Sequence, residues 1–320
     1  MGRIVKALSV LLVVVATAVP ATAQDSSRPL RLVVSFPPGG GIDAVARVFA
    51  DKLGSALGQP VVVENRGGAS GTIAGKAVAN ADPDGNTVLV ASNSMVVAQV
   101  MNPNVGLDIA RDLQALASAA PQAIILVAQN DLPAGTLREL IALAKTRRLN
   151  FGSPGAGSIP HLVVEYLFTS LAGVTLEHIP FPGAAQALTG LLGKQTDLAL
   201  VTLPPAVSLV TADKVKGIAV TTPTRSAALP QVPTVAESGY PGFSVSAWTG
   251  FFVPAKTPKA ISDRLGTALI KIAELPDIKA KLSQLGFEPT SVPGEQFQHD
   301  VVAELKRWND VVDKAGIRPR

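Results

Sequence analysis

Two segments of this 320-residue chain carry the residue types that hold an anion without a charged side chain. The first is Phe36-Pro37-Pro38-Gly39-Gly40-Gly41-Ile42-Asp43. The second is Gly152-Ser153-Pro154-Gly155-Ala156-Gly157-Ser158-Ile159-Pro160-His161. Each follows a short apolar run and is expected to open a helix. Glycine lets backbone approach a ligand with no Cβ in the way. A helix start offers unpaired N–H groups at the positive end of the helix dipole, which favours an anion. Pro160 suits a first helical turn, where its missing N–H costs nothing. Ser158 can cap that helix or donate to a ligand, and the two roles compete for one hydroxyl. Glycine-rich strand-to-helix turns also occur with no ligand, so composition alone leaves both readings open. Asp43 fits a cap for the N–H groups of its own loop, with Arg47, four residues on, as its helix partner.

Other chemistry lacks its residues. The chain has no Cys, which excludes disulfides, thiolate zinc sites, Fe–S clusters and cysteine nucleophiles. Its histidines, His161, His178 and His299, are far apart in sequence, and no metal-ligand set is read from them. His178 reads as a packed or edge residue and His299 as part of a solvated helix face. No G-x-S-x-G elbow, G-x-G-x-x-G fingerprint or phosphate-loop motif is present. A formal charge of +4 gives no electrostatic case for nucleic acid. No catalytic group, metal or cofactor is expected, and the balance moves towards binding.

The elements that must position the two loops alternate between strand and helix. Strands are expected at Leu30–Phe36, Pro60–Glu64 (buried), Thr87–Ala91, Ala123–Val127, Leu149–Gly152, Leu176–Ile179, Leu198–Val201, Gly217–Val220 and Val245–Val253. Helices fall at Thr72–Asn80, after the capping box Thr136-Leu137-Arg138-Glu139, and near Pro160–Ala172, Ala184–Leu192 and Pro205–Ala212. Such alternation implies α/β architecture with largely parallel sheets and helices on both faces. The tail after Pro254 holds helices and at most one strand, so it should pack back on the N-terminal sheet. That gives one domain from residues 24–123 plus 247–320 and another from 124–246. Two crossover strands, near Ala123–Val127 and Val245–Val253, would join them and permit bending around a cleft.

Arg3 and Lys6 precede an uncharged apolar run from Ala7 to Val19, followed by Ala21-Thr22-Ala23. A basic start, a run of this length and small residues at its end describe a secretory signal peptide, residues 1–23. The run is short of the roughly 20 apolar residues of a membrane span. An uncleaved anchor is the alternative. Export to the periplasm as a chain beginning near Gln24 is expected.

Six segments then resemble, in order, the Bug-type substrate-binding proteins of tripartite tricarboxylate transporters. They are Phe36–Arg47, Val63–Gly71, Asn150–Leu162, Leu188–Leu198, Thr221–Gly242 and Trp248–Pro258. The resemblance implies a periplasmic, two-domain binding protein of the type II, Venus-flytrap kind. It also implies capture of a small organic carboxylate in the interdomain cleft, and delivery to an integral-membrane permease. The family's first loop, which holds a carboxylate through backbone groups and bridging water, implies Phe36, Gly40, Gly41 and Asp43 here. Its strand-end segment corresponds to Ala91-Ser92-Asn93, and its second loop to Ser153, Gly157, Ser158 and His161. Where the family usually has Tyr-Lys-Gly, this chain has Phe181-Pro182-Gly183, losing a hydroxyl and a lysine. Leu203-Pro204-Pro205 stands where the family often places an acidic or polar residue. Both departures imply a more apolar cleft and a less polar carboxylate. A monomer is expected. Two further readings stay open: a secreted α/β enzyme acting on a small carboxylate, and a loaded partner of a membrane sensor kinase.

Overall fold

The computed structural model describes residues 28–39 and 41–316. The expected signal peptide and Gly40 therefore lie outside the described residues. Strand β1 (Leu30–Val34) is the first apolar run. Helix α1 (Gly41–Leu57) buries Val45, Ala46, Val48, Phe49 and Leu53 along one face, as the helical spacing of these residues requires. There follow β2 (Val61–Asn65), a 3-10 turn at Ala69–Gly71, α2 (Thr72–Ala79) and β3 (Thr87–Ser92). Next come α3 (Ser94–Met101), α4 (Ile109–Asp112) and β4 (Leu113–Gln122).

At Ala123 the chain leaves this sheet for a second one. The second sheet contains β5 (Ile124–Ala128), then α5 (Leu137–Ala144), β6 (Asn150–Ser153) and α6 (Ile159–Val164). The last of these widens into a π-helical turn at Glu165–Leu171. Then come β7 (Glu177–Pro180), α7 (Ala184–Leu192), β8 (Leu198–Thr202), α8 (Pro204–Thr211) and β9 (Lys216–Val220). The proline-rich stretch returns the chain to the first sheet as β10 (Ala247–Pro254). The tail adds α9 (Lys259–Ala273), α10 (Pro276–Gln284), β11 (Ser291–Pro293) and α11 (Gly294–Ala315).

The strand orders are β11-β4-β10-β3-β1-β2 and β7-β6-β8-β5-β9. The sheets are mixed rather than largely parallel. Strands β1, β2 and β3 are parallel, but β10 is antiparallel to β3 and β4, and β11 is antiparallel to β4. In the second sheet β5 is antiparallel to both neighbours. The cause is the wiring: β4 leads out of the first sheet and β10 leads back, so these neighbours run in opposite directions. A second correction concerns Pro60–Glu64, expected as a buried strand. It is the sheet edge, and Val62 is 49% exposed.

Strand β4 is absent from the sequence reading because LQALASAAPQ has the composition of a helix. Its small residues serve close packing instead. A Cβ on Gly266 of α9 would stand 2.8 Å from Leu116 O, and one on Gly294 of α11 2.5 Å from Ala115 O. The tail helices press directly onto this strand's backbone. Helices cover both faces of both sheets. One apolar cluster, containing Leu89, Val97, Leu126, Phe151, Leu162 and Trp308, runs without a break from one sheet to the other.

Candidate functional site

The first loop leaves β1 and enters α1, and Asp43 ties it down. Asp43 Oδ2 accepts the Gly39 N–H at 2.9 Å and Arg47 Nε at 3.0 Å. Its Oδ1 accepts Asn65 Nδ2 at 2.9 Å, and the same amide donates to Phe36 O at 3.0 Å. The Arg47 hydrogen bond, helped by the Gly39 and Asn65 donors and opposed by burial, lowers the Asp43 pKa to about 2. Asp43 is thus an ionised clamp on its own loop, with both oxygens committed. Arg47, the basic residue nearest the loop in sequence, and Arg66 are ion-paired to Asp43 and Glu64.

Asn65 is a residue that sequence reasoning missed. It stands beside Val34 in the β1–β2 register, a neighbour 31 places away that spacing along the chain does not reveal. Ser35, also missed, follows β1 with its hydroxyl buried and without a protein partner. Gly41 begins α1, and a Cβ there would meet the Phe287 ring at 3.1 Å.

At the end of β3, Ser92 Oγ accepts the Ser94 N–H at 3.3 Å. Asn93 is 1% exposed, and its side-chain amide is spent on Ser246 O at 2.9 Å and Glu304 Oε1 at 3.1 Å.

The second loop is held by neutral groups. Ser158 caps α6, accepting the His161 N–H at 3.3 Å, so the cap role takes its lone pair. His161 Nδ1 accepts the Gly157 N–H at 3.0 Å, which places the neutral ring's proton on Nε2. The His161 ring stacks on His178 with centroids 3.9 Å apart, and Phe151 continues the stack at 4.8 Å. His178 Nε2 meets Ser153 Oγ at 2.7 Å, while that hydroxyl donates to Gly155 O. Burial, then the neighbouring His178, lowers the His161 pKa to about 4. Burial likewise lowers His178. Glu165 Oε1 lies 3.8 Å from His161 Nε2, but burial raises that carboxyl. Both directions favour neutral forms, so this contact is no ion pair.

Phe181 N–H donates to Ser153 O at 2.9 Å. Its ring fills a slot that exists because residues 152 and 190 are glycines, whose added Cβ atoms would strike it. Gly183 starts α7 in an extended conformation open to any residue.

The two sheets' loops meet on two flanks. A Cβ on Gly157 would touch Met101 Cγ, at the end of α3, at 3.8 Å. On the other side, Gly286 has φ +79°, and its Cβ would stand 2.6 Å from Pro204 Cγ at the start of α8. The structure therefore gathers Phe36, Gly41 and Asp43 in one loop, and Ser153, Gly157, Ser158 and His161 in another. Ser92 and Asn93 lead through α3 to the second loop. The side chains of Asp43, Asn93, His161 and Phe181 are each engaged in holding their own segment. Among the described residues no cluster of three or more His, Asp or Glu side chains could hold a metal ion.

Residues 45–317 match the family model described as tripartite tricarboxylate transporter family receptor, TctC. Protein BugT of Bordetella pertussis is 30% identical over 323 residues, covering 99% of each chain. The solved structure of the periplasmic binding protein BugD is 34% identical with a TM-score of 0.74, covering 92% of this chain and 99% of its own. Rpa4515 of R. palustris, solved with adipate, is 32% identical with a TM-score of 0.74, covering 90% and 97%. MatC of Rhodopseudomonas palustris, solved with bound malate, is 32% identical with a TM-score of 0.72, covering 89% and 99%. This chain, with its two mixed α/β domains of the type II periplasmic binding fold, belongs to the TctC family of tripartite tricarboxylate transporter receptors, a family of non-enzymatic binding proteins.

Proposed function

We propose that this protein captures a small organic carboxylate between the loops at the ends of β1 and β6 and presents it to the permease of a tripartite transporter. One observation carries the reading. Two glycine-rich loops each open a helix, and Arg31, Arg47 and Arg66 around the first loop are paired to Glu64 and Asp43. The carboxylate then meets backbone N–H groups, the Ser158 O–H and water. Hydrogen bonds to a charged group contribute about 1.5–3 kcal/mol each, so three or four support micromolar binding. The adipate and malate complexes of the relatives support the ligand class. The Phe181 ring in place of a tyrosine and the Leu203-Pro204-Pro205 corner favour an acid with an apolar body.

The domains in this reading are residues 24–123 with 247–320, and 124–246. The leader 1–23 is removed on export, and the protein works as a monomer. A thermal-shift screen of organic acids on purified protein tests the proposal. A ligand at 100 times its dissociation constant adds about 2.7 kcal/mol of apparent stability. Stabilisation by mono- or dicarboxylates is expected. Stabilisation by sugars or cationic amines with none by acids would overturn it.

A further inference from the structure

The chain has two tryptophans, and both indole N–H groups donate to one carboxylate, that of Glu304. Trp248 Nε1 lies 2.6 Å from Oε2, and Trp308 Nε1 lies 2.9 Å from Oε1. Asn93 Nδ2 supplies a third donor to Oε1 at 3.1 Å, and it also donates to Ser246 O at 2.9 Å. The donors come from the starts of α3 and β10 and from α11 itself. Glu304 as a residue is partly exposed, but its carboxyl group lies inside this ring of donors. Taking a carboxylate from water is costly unless donors replace the water, as three do here.

The position gives the arrangement its meaning. Ser246 is the last residue before β10, where the chain returns from the second sheet to the first. Asn93 ends the strand-end segment of the candidate site. Trp308 stands edge-on to Tyr166 of the π-helical turn at 6.4 Å, and Tyr166 stacks on Phe243 at 5.3 Å. The carboxylate thus sits at the seam between the two domains. We propose that Glu304 is a positioning residue for ligand binding: it pins the Ser92-Asn93 segment to the return passage between domains, so that site geometry and domain closure move together. The ligand-binding half of this claim rests on the proposed reading of Ser92-Asn93 as part of the site.

The charged group beside the pin is Arg307 on α11, whose Nη1 donates to Ser244 O. The groups that α3 and β10 present to Glu304 are the uncharged Asn93 amide and Trp248 indole, and the Tyr166 ring of the π-helical turn packs on Trp308. Burial raises the Glu304 pKa, and the Trp308, Trp248 and Asn93 donors pull it partly back.

Tryptophan emission tests the pin in ligand-free protein. Between pH 7.5 and 4 the wild type should show an emission transition with its midpoint above the ordinary glutamate value of about 4.3. Glu304→Gln should abolish it. In calorimetry at pH 7.5 with adipate as probe, Glu304→Gln should weaken binding at least tenfold. Trp308→Phe, which leaves two of three donors, should weaken it only a few-fold. If Glu304→Gln does not fold, Trp308→Phe and the wild-type emission profile decide. An unchanged transition in Glu304→Gln, or wild-type adipate affinity in that variant, overturns the proposal. A wild type that ignores adipate but shows the transition and loses it in Glu304→Gln counts against the ligand reading, while the pin stands.

Discussion

The two glycine-rich loops share a local design and are anchored by opposite means. The first is clamped by an ionised carboxylate, Asp43, only 3% exposed, with its partner Arg47 half in solvent. The second is clamped by a neutral imidazole, His161, stacked on His178 and Phe151 and 6% exposed. The Asp43 carboxylate stays charged because the Arg47 guanidinium and the Gly39 and Asn65 donors meet its oxygens. The His161 ring stays neutral, because no charged partner offsets the cost of burying an imidazolium. Similar strand-to-helix turns are thus built for different responses to acid.

Removing the imidazole clamp should have the largest effect. His161→Ala deletes a stacked ring and leaves the Gly157 N–H without its acceptor. A stability loss of about 3 kcal/mol is expected in urea unfolding. A loss below about 1 kcal/mol would mean that the stack does not carry the loop.

Acid should separate the loops next. The folded His161 value of about 4 lies below the ordinary value of 6.5. The unfolded chain therefore takes up the proton first. Stability from this group is complete above pH 6.5 and is lost as the pH falls through about 4, on the order of 3 kcal/mol at most. Asp43, lowered to about 2, contributes stability above its ordinary value of 3.8 that is lost only below it. Urea midpoints should fall between pH 6.5 and 4.5 in wild type and less steeply in His161→Phe. Parallel slopes would remove the contrast.

Asp43→Ala should cost about 2 kcal/mol at neutral pH, because the Gly39 N–H loses its acceptor and the Asn65 amide one of two. The same unfolding assay reads it, and a change within about 0.5 kcal/mol would argue against the clamp. Ser158→Ala removes one helix cap and should cost about 1 kcal/mol, seen as a small shift in melting temperature. A cost equal to that of His161→Ala would place the second loop's anchor at the cap rather than the stack.

The sequence made the loops legible because glycine, proline and a cap residue act locally. The Asp43–Arg47 pair was legible for the same reason, being four residues apart. What stayed hidden depends on partners across the fold. Asn65 reaches Asp43 only through strand pairing, and His178 meets His161 only because β6 and β7 lie side by side. Strand β4 was hidden because its alanines and serine are there to admit the glycine-bearing tail helices. The mixed strand directions follow from two passages between sheets, which no short window of sequence encodes.

The central claim is that a carboxylate is held by backbone and hydroxyl donors with no guanidinium clamp. Arg47 tests it most directly, since it is the basic residue nearest the first loop and its side chain is 55% exposed. Calorimetry of wild type and Arg47→Ala against the best acid from the screen, with folding checked first, is the decisive measurement. The account predicts affinities within a few-fold of each other. Abolished binding in a folded Arg47→Ala variant would contradict it and put a guanidinium at the carboxylate.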